Sequence, residues 1–255
     1  MTPREVLAAF DAAAFARDGF VVLPGFWSAD EVQQASVAFD ELLAAARSQA
    51  ARAVDGALDH GGSHFVVDAD PFALRRVVWC GDAAPALGAY GADERFVGVA
   101  ERVLGARPVV QLIQQAHYKL PGDGVDFAWH QDASNRRYGT DRFVDVNGRG
   151  SFVQIVVAVD RMTRENGPLQ MLPGTHRHGF VADLGTGHIA DAYLDVEPVT
   201  VELEPGDAAV FGPFVIHGSG ANRSDRARRL FLQGYTLPGA NRRVYPGCGT
   251  GVERP

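Results

Sequence analysis

Along the first third of the chain, apolar positions recur at helical spacing, with one extended interruption. Val6, Leu7, Phe10, Ala14 and Phe15 share one helical stripe, and Gly19 stands where that helix would stop. Phe20 to Leu23 is a short apolar run closed by Pro24-Gly25, which predicts a strand. Ser28 and Glu31 then match a capping box, in which each side chain satisfies the other's free backbone N–H. Val32, Ala35, Phe39, Leu42 and Leu43 follow as the buried face of that second helix. The Gly-, His- and Asp-rich stretch from Asp55 to Asp70 predicts a loop. A third helix is bounded by Asp93 as N-cap and Gly105 as C-terminal stop.

From Val109 the period changes. Val109–Lys119, Ser151–Asp160, Val199–Leu203, Ala208–Phe211 and Leu230–Leu237 are short apolar segments separated by Gly/Pro turns. Repeated short strands of this kind predict a β-sandwich or barrel. The chain is therefore expected to be one domain over residues 1–255. Residues 1–108 would form a mostly helical buttress, 109–237 the β-barrel core and 238–255 a tail.

Composition narrows the class. With 255 residues and 46% hydrophobic content, the chain can bury a core and is not a disordered segment. No run approaches the roughly 20 apolar residues that span a bilayer. Acidic residues interrupt the apolar N-terminal stretch, a poor pattern for a signal peptide, so a cytoplasmic location is expected. A net charge of −7 without a basic block argues against nucleic acid as a partner. Cys80 and Cys248 are too few for a disulfide scaffold or a cysteine zinc cage. The expected partner is a small molecule, bound by a monomer or homodimer.

The sharpest chemical pattern is Trp129-His130-Gln131-Asp132. A His and an Asp two apart on an extended segment point to the same side and can converge on one metal ion. Such a pair is also common as a plain hydrogen-bonded couple, so a third ligand decides the matter. His217 is the candidate, ending the apolar run Val210–Ile216 on a separate segment. Two His and one Asp form the facial triad of non-haem Fe(II) oxygenases, which leaves positions open for cosubstrate and O2. The plainer reading makes His217 a surface-loop residue in His217-Gly218-Ser219-Gly220. Arg228 shifts the balance: it opens a strand-like segment expected to return antiparallel beside the His217 strand. There its guanidinium can grip a dicarboxylate bidentately. Alternation sends Arg229 to the opposite face, and Arg223 and Arg226 read as loop cations.

Three ordered blocks carry a family resemblance: Trp129–Asp132, Asn166–His176 and His217–Arg228. Together they resemble the phytanoyl-CoA dioxygenase family of Fe(II)/2-oxoglutarate oxygenases, and Asp18–Phe26 is similar to that family's opening strand. The resemblance implies a double-stranded β-helix (a cupin-like jelly roll) buttressed by N-terminal helices. It implies His130, Asp132 and His217 as iron ligands, with Fe(II), 2-oxoglutarate and O2 as cofactor and cosubstrates. Arg228 would hold the distal carboxylate of 2-oxoglutarate, and Ser219 would add a second donor. The family also places a polar cosubstrate contact on the preceding strand, where Gln115 and His117 share a face. The implied reaction is hydroxylation of a small metabolite with release of succinate and CO2. Desaturation, cyclisation or epimerisation would follow from the same hydrogen abstraction. Asp132 retains the carboxylate that related halogenases lack, which disfavours halogenation.

Two other classes compete with this reading: a 2-oxoglutarate-independent cupin-like metallo-oxygenase and a non-catalytic ligand-binding barrel. Residues 133–150, polar and Gly-punctuated, follow the metal carboxylate as a candidate lid. Arg136, Arg137 and Tyr138 either contact substrate there or stand in solvent. Phe127 and Trp129 are candidates for an apolar wall. Lys119 either reaches the pocket or closes a strand as an ordinary cation. His176 and His178 form an H-x-H pair that either binds zinc or, more simply beside a Pro-Gly turn, serves as surface or supporting residues; Asn166-Gly167-Pro168 reads as a strand connection and Cys80 as a buried apolar residue. Asp160 and Glu165 show no pairing of the kind that two-carboxylate hydrolysis needs.

Overall fold

The computed structural model describes residues Met1 to Pro255. Its strands are β1 (Phe20–Leu23), β2 (Ala57–His60), β3 (Ser63–Ala69), β4 (Phe72–Val78), β5 (Val109–Lys119), β6 (Phe127–His130) and β7 (Phe152–Ala158). They continue as β8 (Leu169–Met171), β9 (Val199–Val201), β10 (Ala208–Phe211), β11 (His217–Ser219), β12 (Arg228–Thr236) and β13 (Val252–Arg254). The major sheet runs β1-β10-β7-β12-β5-β4-β3-β2, with β13 also paired to β5. The minor sheet runs β6-β11-β8-β9. This is the jelly-roll arrangement, with a cavity between the sheets and helices on the outer face of the major sheet.

Alternation along β12 and β5 divides inside from outside. Arg228, Leu230 and Leu232 line the cavity. The intervening Phe231 packs outward against Trp27, Tyr90 and Phe96, with ring centroids 5.3, 5.8 and 6.2 Å away. On β5, Ile113, Gln115 and His117 face the cavity. Tyr118 points the other way and donates its hydroxyl to the Phe39 carbonyl at 2.9 Å.

The expected helix signals hold. Ser28 and Glu31 form the capping box of the helix Ala29–Gln49, and Gly19 and Gly105 end their helices in the left-handed conformation. Phe20–Leu23 is a strand. The first apolar stripe, however, is two helices, Pro3–Ala9 and Ala12–Asp18. Phe10 turns extended between them, and Asp11 caps the second by accepting from the Ala14 N–H at 2.9 Å.

Three differences bear on the site. The Asp55–Asp70 stretch, expected to be loop, carries β2 and β3, and with β4 it extends the major sheet. Residues 1–108 are thus less helical than the apolar spacing predicts. These strands are polar because His64 and Arg76 face a wet cavity, while Phe65, Val67, Leu74 and Val77 are buried on the other face. Within the expected tail, β13 pairs with β5 through Val252↔Gln111 and Arg254↔Val109. Finally, β12 pairs with β5 and β7, not with the His217 strand. Arg228 therefore approaches the site from the opposite sheet.

One ion cluster ties the helices together. Arg95, 8% exposed, binds Glu31 and Asp93, and also donates to the Phe26 carbonyl at 3.1 Å. Burial raises the Glu31 carboxyl, but the Arg95 guanidinium and the Ser28 N–H outweigh it and hold it down at about 2. Because the folded value lies below the unfolded one, this contribution is complete above about pH 4.5 and is lost as pH falls towards 2. Urea midpoints measured from pH 6 to pH 2.5 are expected to fall in that window, and Glu31→Gln is expected to flatten the fall.

Candidate active site

The three candidate ligands converge. His130 ends β6 and His217 opens β11, and these strands pair with His217 directly opposite His130. Their ring centroids lie 4.2 Å apart. Asp132 begins the short helix Asp132–Arg136, its Oδ1 3.9 Å from His130 Nε2. One ligand atom from each of the three lies within 4.8 Å of the others.

The imidazoles are held in the tautomer that metal binding needs. His130 Nδ1 donates to the Ala128 carbonyl at 2.8 Å, and His217 Nδ1 donates to the Val215 carbonyl at 3.0 Å. Each leaves Nε2 as the free lone pair, the usual outer-shell device of metal-binding histidines. Burial, then the nearby His130, pulls His217 down to about 4, so it is neutral near pH 7 as a ligand must be.

Across the cavity stands Arg228, 2% exposed. Its Nη2 donates to the Gly167 carbonyl at 3.1 Å, while its buried Nε has no partner. Burial lowers this guanidinium to about 10, still cationic near neutrality. A Cβ on Gly167 would lie 2.4 Å from the Gly220 carbonyl oxygen, so only glycine lets this connection approach closely, at φ +74°. Arg229 faces outward, as alternation predicts, onto Asp160 and Asp40, each at 2.8 Å.

Ser219, Gln115 and His117 also line the cavity. The Ser219 hydroxyl accepts from Lys119 Nζ at 2.7 Å, which leaves its own proton free to donate. Lys119 is fully buried and also donates to the Ser219 and Gly220 carbonyls. It is a clamp on β11 rather than a strand-end surface cation. Burial, then Arg228, brings its pKa down to about 7. His117 Nε2 and Gln115 Oε1 bond to each other at 2.7 Å, so the two form one unit. His117 also stacks on Phe127, and burial, then Arg76, holds it well below the ordinary histidine range.

The cavity measures about 720 Å³. Phe127 and Trp129 line it as expected, and of the three lid candidates only Arg136 does. Arg137 is exposed, and the Tyr138 hydroxyl donates to Asp145 at 2.9 Å. His176 lies elsewhere, against the Ala16 carbonyl at 3.2 Å, and His178 packs edge-on to Tyr193. Cys80 and Cys248 are both buried free thiols.

Residues 15–230 match the family model for phytanoyl-CoA dioxygenase. The chain belongs to the phytanoyl-CoA dioxygenase family. This family member is 30% identical over 171 residues to an ectoine dioxygenase from Sphingopyxis alaskensis, an alignment covering 67% of this chain and 50% of the relative. It is 32% identical over 145 residues to a 2-aminoethylphosphonate dioxygenase from an uncultured bacterium, covering 56% of this chain and 51% of the relative. The chain thus spans about half the length of the curated relatives it matches. The crystal structure of EctD from S. alaskensis with bound Fe superposes with a TM-score of 0.71 at 26% identity, covering all of this chain and 83% of that one.

Beyond the expected residues, this phytanoyl-CoA dioxygenase family member carries a further positioning group, Gln131, between the two candidate ligands. Its fully buried amide donates to the Gly179 and Phe214 carbonyls at 2.8 and 2.7 Å and accepts from the Val181 and Ala182 N–H groups at 2.9 and 3.2 Å. Four bonds staple the His130–Asp132 segment to two neighbouring loops. The sequence signal was the residue's place inside the motif, but glutamine alone does not announce burial. Gln131→Ala is expected to cost about 3 kcal/mol in urea unfolding, since it orphans buried backbone groups. It is also expected to weaken Fe(II) binding about 10- to 100-fold, the usual scale for outer-shell losses.

Proposed function

We propose that this chain is an Fe(II)- and 2-oxoglutarate-dependent dioxygenase that hydroxylates a small-molecule metabolite. His130, Asp132 and His217 would hold the metal, and Arg228 the far carboxylate of the cosubstrate. The observation that carries this reading is a complementary pair. Two imidazoles have Nδ1 tied to backbone carbonyls and Nε2 free. Facing them is a buried arginine with an unpartnered Nε. The donor set suits Fe(II): two neutral nitrogens and one carboxylate. When bound, Fe(II) with 2-oxoglutarate supplies the O2-dependent oxidative decarboxylation, to succinate and CO2, that drives hydrogen abstraction from the substrate.

The protein's own residues orient and exclude. Arg228 neutralises the distal carboxylate, and the Ser219 hydroxyl donates to it, held in place by Lys119. The Gln115–His117 pair presents a fixed polar edge to the same molecule. Phe127 and Trp129 keep one wall of the cavity apolar, which limits water beside the target C–H. In this reading residues 1–255 form one dioxygenase domain of a cytoplasmic enzyme. It works as a monomer or homodimer with neither nucleic acid nor membrane as partner. No helix is long and apolar enough to cross a membrane.

Metal removal tests the assignment. Exhaustive chelation is expected to stop succinate release from 2-oxoglutarate, Fe(II) to restore it and Zn(II) to leave it silent. Undiminished release from metal-free protein would contradict the reading.

A further inference from the structure

The cavity carries positive charge beyond what the cosubstrate needs. Four arginines line it (Arg76, Arg136, Arg228 and Arg243), against two carboxylates, Asp126 and Asp132. The excess stands out in a chain whose net charge is −7. Arg243 is partly committed, donating to the Asn135 carbonyl at 2.9 Å. Arg76 and Arg136 are not. Arg136 is 8% exposed, stacked between the rings of Phe152 and Tyr245 at 5.2 and 5.0 Å, and its buried Nε and Nη1 have no partner. Arg76 has no ion pair, and the charged groups acting on it are Arg136 and Arg75, both cations.

Strand register separates these two arginines from the cosubstrate anchor. Arg76 lies opposite His117 across β4–β5, whereas Leu230, two residues after Arg228, lies opposite His117 across β12–β5. Arg76 and Arg228 thus flank β5 on opposite sides. A bound Fe(II) and a 2-oxoglutarate dianion cancel each other, so they leave the cationic excess unmet. Buried or half-buried guanidinium groups without partners are costly, and carboxylate or phosphonate oxyanions satisfy them bidentately.

We propose that Arg136 and Arg76 form the substrate-recognition subsite, and that the substrate is a small organic oxyanion, a carboxylate or a phosphonate. Its anionic head would sit between β4 and the helix Asp132–Arg136, with its carbon body along the wall of Phe127, Trp129 and Leu169. The subsite's role in catalysis rests on the oxygenase reading; its existence does not.

The test uses the whole 255-residue chain carrying Arg228→Gln, which removes the competing anchor. Benzoate and phenylphosphonate are titrated calorimetrically, with neutral benzyl alcohol as control. Anion binding without alcohol binding is expected. Adding Arg76→Gln or Arg136→Gln should weaken it about tenfold each, and Arg76→Lys should restore part of it. Arg76 is only half-buried, so its variants remain informative if Arg136→Gln folds poorly. Whichever anion binds more tightly assigns the head group. No anion binding, equal binding of the alcohol, or affinity unchanged by the Arg76 substitution would overturn the proposal. Failure of the oxygenase reading shows separately, as absence of an Fe(II)/2-oxoglutarate complex in the wild-type protein while the anions still bind.

Discussion

Asp132→Ala is expected to abolish turnover, by at least about 10³-fold, while leaving the fold intact. Loss of an outer-shell partner alone costs about 10- to 100-fold in metal affinity or activity, and Asp132 would be a direct ligand. It is also the only anionic member of the set, because both imidazoles bind as neutral groups. Without it the metal charge goes uncompensated, and affinity falls together with rate. The fold is expected to survive the loss of Asp132, whose carboxylate has its nearest ionic contact at His130, 3.9 Å away, with His217 also in the cluster. Metal content, succinate release and the urea midpoint should be read on the same preparation. Turnover within tenfold of wild type would remove Asp132 from the ligand set.

Arg228→Gln is expected to raise the KM for 2-oxoglutarate about 100-fold with Fe(II) affinity unchanged. Two charge-assisted hydrogen bonds to a carboxylate supply about 3 kcal/mol net, and each 1.4 kcal/mol is a factor of ten. The effect on stability should run the other way. Arg228 is 2% exposed and has one hydrogen bond, to Gly167, with its Nε unpartnered. Burying that cation costs the apo-protein free energy, so a neutral amide is expected to match or exceed the wild-type urea midpoint. A cosubstrate KM unmoved by the substitution would place the distal carboxylate elsewhere.

Local signals in the chain were the legible ones. Ser28 with Glu31 and the two glycine stops state their roles within a single turn, and structure agrees. The H-x-D pair is equally local, although the two residues do not share a strand: His130 ends β6, Gln131 is extended, and Asp132 opens the next helix beside it. His217 needed only a strand end. Parity along one strand separates the faces of Arg228 and Arg229, but pairing is a long-range property, and β12 lies beside β5 and β7 rather than beside the His217 strand. Strands β2 to β4 were hidden because the cavity face of a sheet edge tolerates His64 and Arg76, which breaks the apolar pattern that announces a strand. For the same reason Arg76 and Arg243 were not legible as cavity residues: no spacing links them to the motif, and only the folded sheet brings them beside it. Gln131 stood in plain view, but its four backbone partners come from segments far along the chain.

The most direct test of the central claim is an anaerobic titration of Fe(II) and 2-oxoglutarate into the metal-free protein, followed by visible absorption. A weak charge-transfer band is expected that needs both components, is absent in Asp132→Ala, and requires far more 2-oxoglutarate in Arg228→Gln. Tight Fe(II) binding with no band at any 2-oxoglutarate concentration would contradict it and point to a metallo-oxygenase that uses no such cosubstrate.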